Sequence, residues 1–431
     1  MSDPTRKQSA VRTVAAGLIG NVLEWFDFAI YGYFASDIGH LFFPSSDPTA
    51  STLLAYAVLL LGFVARPAGS IVLGLIGDRI GRRALLTISI ALMGVATLMI
   101  GVLPTYQTIG VAAPILLIVC RMLQGFSLGG EFTGSMVYTT ELASPLMRGI
   151  ISSSTAAGTT LGFILGSTSA LLVNRVLGTA EASAWGWRIP FIFSITFCIA
   201  GYFLRDGIHE SEAGEKAVAA RPPTWQLQLR LVFQSLAADW KPIMQTFGIV
   251  GMTNAAYYLT FTFAVDYRKK LDIAGSTNFL LANTLALCIV LASKPLGGWL
   301  SDRVGRRRLM IGVQLAAMAA IYPAVRIMLH GTAAEFMLGQ TMLAVPLGMA
   351  LGLQGAMLVE IFPLRSRVTS MSIAYSVALA LSGGAAPLIS AWLIKHYGNP
   401  YLPIYFILAY GLIGLAIMAP MRETNGRSLE A

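Results

Sequence analysis

The sequence predicts an all-α integral membrane protein whose twelve transmembrane helices form two pseudo-symmetric six-helix bundles. Three observations carry that expectation. Of the 431 residues, 55% are hydrophobic and 12% charged, where a soluble domain has about 25% charged residues. Twelve apolar stretches are long enough to cross a hydrocarbon core of about 30 Å: 12–35, 52–76, 84–103, 110–140, 149–173, 187–204, 241–265, 277–300, 308–328, 334–359, 367–394 and 401–420. A pattern running through Gly74, Asp78, Arg79, Gly81 and Arg82 returns at Gly298, Asp302, Arg303, Gly305 and Arg306. A repeat at half the chain length means two related halves.

The two copies also orient the chain, because cationic loops stay on the side where they are made. Of the 30 Lys and Arg, 20 fall in the termini and loops on the Asp78 side, 7 on the other side and 3 inside helices. Both termini are therefore expected in the cytoplasm. The same asymmetry accounts for the net charge of +9, so no nucleic-acid partner is expected. The expected organisation is an amino-terminal bundle at 1–204, a linker at 205–240, a carboxy-terminal bundle at 241–420 and a short tail at 421–431.

The first stretch follows Arg6, Lys7 and Arg12 but carries Glu24 and Asp27 and lacks a small-residue cleavage site, so it is expected to be a retained helix rather than a signal peptide. Glu24, Asp27 and Tyr31 are spaced three and four apart and share one face. The second stretch has Arg66 before Pro67, and the third has no charge. The fourth carries Arg121, Gln124, Leu128, Glu131, Ser135 and Tyr138 at helical spacing, a stripe that faces protein or water rather than lipid. It ends at Glu141, with Arg148 following; Glu360 and Arg367 repeat that interval in the second half. The fifth is rich in Gly, Ser and Thr, which permits close packing. In the linker, Thr224 can cap a helix with Trp225, Leu229, Val232 and Leu236 on one face, lying on the membrane surface or under the bundle. The second half offers Asn254, Tyr257 and Tyr258 in the seventh stretch, Lys294 in the eighth, Gln340 and Gln354 in the tenth, and Ser372 and Tyr375 in the eleventh. Asp266 falls near its outer boundary. Cys120, Cys198 and Cys288 lie far apart, and the four histidines have no paired nucleophile. No metal site, cofactor or enzyme chemistry is expected.

Six charges, Glu24, Asp27, Arg66, Arg121, Glu131 and Lys294, sit inside apolar stretches and sum to zero. At about 3 kcal/mol each, leaving them in lipid would cost roughly 18 kcal/mol, more than the whole stability of a typical protein. Counting about 1.5 Å per residue sets Glu24, Arg66 and Glu131 near the midplane, with Asp27 and Arg121 higher. Expected partners are Asp27 with Arg121, and Glu24 or Glu131 with Arg66. Midplane ionisable groups between repeats are where transporters hold substrates and coupling ions.

With these residues in view, the chain resembles the major facilitator superfamily. The Asp78 and Asp302 loops look like its repeated cytoplasmic motif, and Arg121 with Gln124 and Gly125 looks like its fourth-helix motif. The stretch from Gly20 to Tyr33, Arg66 and Pro67 with Gly69, the run from Gln124 to Glu131, and Gly186, Trp187, Arg188, Ile189, Pro190 and Phe191 resemble its metabolite:proton symporters. The resemblance implies alternating access in a bacterial cytoplasmic membrane, with helices one, four, seven and ten lining a cavity. The implied function is proton-coupled import of a small organic acid such as a di- or tricarboxylate. The alternative is a zwitterion such as proline or glycine betaine, cradled by Trp25, Phe28, Tyr257 and Tyr258. On this reading Arg66, Arg121, Gln124, Tyr31, Asn254, Tyr257, Tyr258 and Lys294 bind substrate. Glu24, Asp27 and Glu131 couple protons. Gly74, Asp78, Arg79, Gly81, Arg82, Gly298, Asp302, Arg303, Gly305 and Arg306 form the gating motif, with Asp78 reaching the start of helix eleven. The expected partners are the small molecule, protons and membrane lipids, for a functional monomer. Many relatives have an apolar or prolyl stretch where the seventh helix here ends Val265, Asp266, Tyr267, Arg268, Lys269, Lys270, so this outer rim is expected to alter what enters.

Overall fold

Apolar residues around the whole circumference make a helix that is buried or lipid-facing, and the chain consists of such helices. The computed structural model describes residues 20–80, 82–206, 224–271, 275–427 and 429. In the first half, α1 covers 20–33 and continues past a turn at Phe34 as Ala35–Phe42. It is followed by α2 (Pro48–Ile80), α3 (Arg82–Val102), α4 (Ala112–Ser127, then Glu131–Leu142), α5 (Arg148–Leu177) and α6 (Arg188–Asp206). The second half holds α7 (Trp240–Tyr258, a wide π turn Leu259–Phe263, then Ala264–Leu271), α8 (Ser276–Val304), α9 (Arg306–His330) and α10 (Ala333–Ile361). It ends with α11 (Arg367–Leu379, a π turn Ala380–Gly384, then Ala385–Tyr397) and α12 (Leu402–Met418). These match the twelve expected stretches. Residues 12–19 of the first stretch lie outside the described residues. Among the described residues seven helical spans are long and apolar enough to cross a membrane unaided; α6 follows a helical segment bent 57° from it, and α12 is shorter.

The outward face of the last helix is apolar. On α12 the buried side is Pro403, Ile404, Ile407, Gly411, Gly414 and Met418, while Tyr405, Leu412 and Ile413 are exposed, a lipid-facing surface. Small residues set the close helix crossings. A methyl group on Gly129, in the turn that breaks α4, would lie 2.0 Å from the Ser70 amide nitrogen of α2. The Trp187 and Arg188 pair is a structural clamp: Arg188 Nη1 donates to the Gly101 and Leu103 carbonyls at 2.9 and 2.7 Å, satisfying the end of α3. Arg268 does the same for the end of α9, donating to the Leu329 and Gly331 carbonyls at 2.6 and 2.9 Å.

The linker helix spans Trp225–Ala238, and its cap Thr224 Oγ1 accepts from the Leu227 amide at 3.3 Å. It lies under the bundle against α2, α7 and α11. Leu229, Val232 and Leu236 are half-buried, but Trp225 is exposed and Gln228 takes a buried place. Residues 207–223 of the linker lie outside the described residues.

Candidate functional site

Five of the six intramembrane charges gather around α1, and Lys294 lies apart from them against α5. Glu24 and Arg66 form an ion pair at 2.5 Å, both buried. The guanidinium lies 5.8 Å from the Trp25 ring and 6.0 Å from both Phe28 and Phe63, so charge and π faces share one apolar nest. Glu131 begins the second segment of α4 and lies within electrostatic reach of Glu24.

Asp27 does not meet Arg121 directly, which corrects the expected pairing. The Thr97 hydroxyl of α3 donates to Asp27, Gln124 Nε2 donates to Thr97 Oγ1 at 2.6 Å, and Arg121 Nη1 donates to Gln124 Oε1 at 2.7 Å. Arg121 itself stacks 3.9 Å above Tyr31, whose hydroxyl donates to the Ala55 carbonyl at 3.1 Å. Two amide and hydroxyl dipoles thus separate acid from base. Thr97 was not legible as a site residue because an uncharged threonine in an apolar stretch has no pattern to mark it.

Both arginines retain buried N–H groups without a protein acceptor: Nε and Nη1 of Arg66, and Nε and Nη2 of Arg121. Buried donors of this kind favour an acceptor oxygen.

A small cavity lies beside this cluster. Its lining comprises Trp25, Phe132, Met136, Ala156, Thr159, Phe163, Asn254, Tyr257, Leu351, Gln354 and Tyr375, from α1, α4, α5, α7, α10 and α11. Helices five and eleven therefore join the four expected to line it. Five of the lining residues are aromatic, and none is charged. Trp25 meets Phe132 and Phe163 at centroid distances of 5.8 and 5.9 Å, and Phe163 meets Tyr257 edge-on at 5.0 Å. Of the eight side chains expected to bind substrate, Asn254 and Tyr257 line this cavity, whereas Arg66, Arg121, Gln124, Tyr31, Tyr258 and Lys294 stand outside its lining. Lys294 approaches from behind: its ammonium donates to the Ala156 carbonyl and, at 2.9 Å, to Thr159 Oγ1 of α5.

Contacts between the halves lie on both faces of the bundle. On the Asp302 face, the Asp302 carboxylate accepts from the amides of Gly149 and Ile150 at 2.9 and 3.0 Å, capping α5 at its positive end. A methyl group on Gly298 would sit 2.4 Å from the Gly149 carbonyl oxygen, which is the physical reason for the glycine four residues before the aspartate. Arg306 Nη1 lies 2.7 Å from Asp302, and Arg367 Nη1 2.8 Å from Glu141. The tail joins this lattice: Glu423 caps α9 through the Arg306 amide at 2.7 Å, and Arg148 Nη1 donates to the Arg427 carbonyl at 2.6 Å. Arg303 stacks 4.0 Å over Trp299, and Gly305 takes a φ of 107°, which suits glycine. In the first copy of the motif, nothing lies within 4 Å of a methyl group placed on Gly74. Asp78, Arg79, Gly81 and Arg82 fall outside the residues whose side chains are described, so the expected Asp78 contact with helix eleven does too.

On the opposite face Asn283 of α8 donates to the Tyr33 hydroxyl at 2.9 Å, and Gln340 bridges Asn283 Oδ1 and the Thr260 carbonyl freed by the π turn, at 2.8 and 2.9 Å. Of the charged outer rim of α7, Asp266 and Lys269 contact the first half, whereas Arg268 is held at the end of α9.

Comparison with known proteins places this geometry. Residues 13–431 match the family model described as sugar (and other) transporter. The chain is 32% identical to the proline/betaine transporter of Escherichia coli, over 97% of this chain and 85% of that one. It is 36% identical to the citrate-proton symporter of Klebsiella pneumoniae, over 92% and 88%. Among solved structures, a D-xylose-proton symporter superposes with a TM-score of 0.75 at 19% identity, covering 97% of this chain and 99% of that one.

Proposed function

Starting from the premise that this chain belongs to the sugar (and other) transporter family within the major facilitator superfamily, a family of transporters and not enzymes, we propose that it is a proton-coupled symporter importing a compact zwitterion of the proline or betaine type. The observation that carries this reading is the cavity lining of Trp25, Phe132, Phe163, Tyr257 and Tyr375 with no charged side chain among its residues. Aromatic faces attract an onium group without a counter-charge, whereas a bare di- or tricarboxylate there would face a large desolvation cost. Asn254 and Gln354 would receive the carboxylate end. The 32% identity with a proline/betaine transporter supports the same class.

Coupling follows from the buried pair. Protonation of Glu24 removes the charge that holds Arg66, and the released guanidinium can join Asn254 and Gln354 at the substrate carboxylate. Asp27 and Glu131 are the further acids of the same reading. In this proposal the Asp302 face and both termini are cytoplasmic, the halves divide at the 205–240 linker, and the protein works as a monomer among membrane lipids.

A second reading, import of an organic acid, is favoured by the unsatisfied N–H groups of Arg66 and Arg121 and by the citrate-proton relative. Uptake of labelled glycine betaine, proline and citrate into proteoliposomes, with and without an inward proton gradient, separates the two. Gradient-driven betaine or proline uptake is expected, falling about tenfold or more in Trp25→Ala or Tyr257→Ala. Gradient-driven uptake of citrate alone would transfer the role to the arginines, and no gradient effect would remove the symport mechanism.

A further inference from the structure

We propose that Asp266 is the latch of the outer gate, a carboxylate on the second half held shut by two hydroxyls of the first. Its side chain is 1% exposed at the outer end of α7. Ser36 Oγ donates to it at 2.6–2.7 Å from the continuation of α1, and Tyr56 Oη donates at 2.7 Å from α2. These are charge-assisted hydrogen bonds of the short, strong kind, and both cross from one half to the other. They seal the seam where α1 and α7 meet, the same two helices that supply Trp25 and Tyr257 to the cavity.

The neighbouring turn reinforces the latch. Lys269 Nζ donates to the Tyr33 carbonyl at 3.0 Å and lies 3.9 Å from Asp37, again across the seam. Phe263 packs beneath, 6.0 Å from the Tyr56 ring. One turn further in, Thr262 faces α1 so closely that a methyl group on Gly32 would lie 2.4 Å from its Cγ2. Opening the outer side must separate α1 and α2 from α7, which breaks every contact of Asp266 with Ser36 and Tyr56. A closed outer gate therefore keeps these hydrogen bonds, and an open one loses them.

The test needs no substrate, so it is independent of what the cavity binds. In a background with Cys120, Cys198 and Cys288 changed to Ser, Thr262→Cys places a thiol just inside the latch, and its reaction with a membrane-impermeant maleimide is followed in right-side-out vesicles. Labelling is expected to accelerate about tenfold or more in Asp266→Ala, the shift that loss of roughly one strong hydrogen bond produces. The pair Ser36→Ala with Tyr56→Phe, which leaves the carboxylate in place, is expected to do the same, and it keeps the test alive where Asp266→Ala does not fold. Unchanged labelling in the folded double variant would overturn the proposal. Acceleration confined to inverted vesicles would also overturn it, by putting the Asp266 face inside.

Discussion

At the Asp302 face a carboxylate is gripped by two backbone amides and an arginine, and the tail adds the Glu423 cap of α9 and the Arg427 carbonyl, which accepts from Arg148. At the Asp266 face the carboxylate takes hydroxyls from Ser36 and Tyr56, with a lysine on the next turn. The first device uses a helix terminus, a fixed dipole that cannot turn away. The second uses side-chain hydroxyls, which rotate freely and find other partners once the seam parts. The difference teaches that one seam is closed by two mechanisms of unequal stiffness. The softer one stands on the face proposed to receive substrate.

The largest effect is expected where the stiff closure is broken. Asp302→Ala removes the α5 cap and leaves Arg306 with a lost partner, a cost to the closed state of about 3 kcal/mol. Ser372 on α11 hydrogen-bonds Thr133 on α4, and a thiol introduced there by Ser372→Cys should then label rapidly in inverted vesicles. Slow labelling, equal to that of the parent, would mean that the Asp302 cap is not what closes that face.

A middle-sized effect is expected from the core between the faces. Thr97→Val strands the Asp27 carboxylate and the Gln124 amide together, at about 1–3 kcal/mol for each buried unsatisfied group. Gradient-driven uptake should fall about tenfold with exchange retained, and Thr97→Ser should restore it. If Val and Ser behave alike, the hydroxyl does not link Asp27 to Arg121 in transport.

The smallest effect is expected at the rim of the Asp266 face. Lys395 meets Asp47 at 2.6 Å, both well exposed. Hydrogen bonding from Lys395, then from the Thr49 amide, holds the Asp47 carboxyl below its ordinary 3.8. A depressed carboxyl contributes stability above that ordinary value and loses it as pH falls through the lowered one. Lys395→Ala should therefore leave the melting temperature nearly unchanged near neutral pH, since exposed pairs are screened. A large drop there would place this pair in the gate.

The linker shows how far pattern reading reaches. Its cap and helix were legible from Thr224 and the spacing of Leu229, Val232 and Leu236, but the roll that exposes Trp225 and buries Gln228 was not. That roll is set by α2, α7 and α11, elements remote in sequence. The same holds for Asp266, which read as a charge near an outer boundary until its partners 230 and 210 residues away were in place.

By itself the sequence determined the membrane, the twelve helices, the two related halves and the set of buried charges, because hydrophobicity, glycine spacing and charge are local properties. Tertiary structure decided the partner of each buried charge: Glu24 rather than Glu131 for Arg66, Thr97 for Asp27, and the α5 backbone for Lys294. It also turned aromatic rings rather than arginines toward the cavity. The physical reason is that depth along a helix follows from counting residues, whereas the direction a side chain faces depends on the rotation and crossing of helices that the linear pattern does not encode.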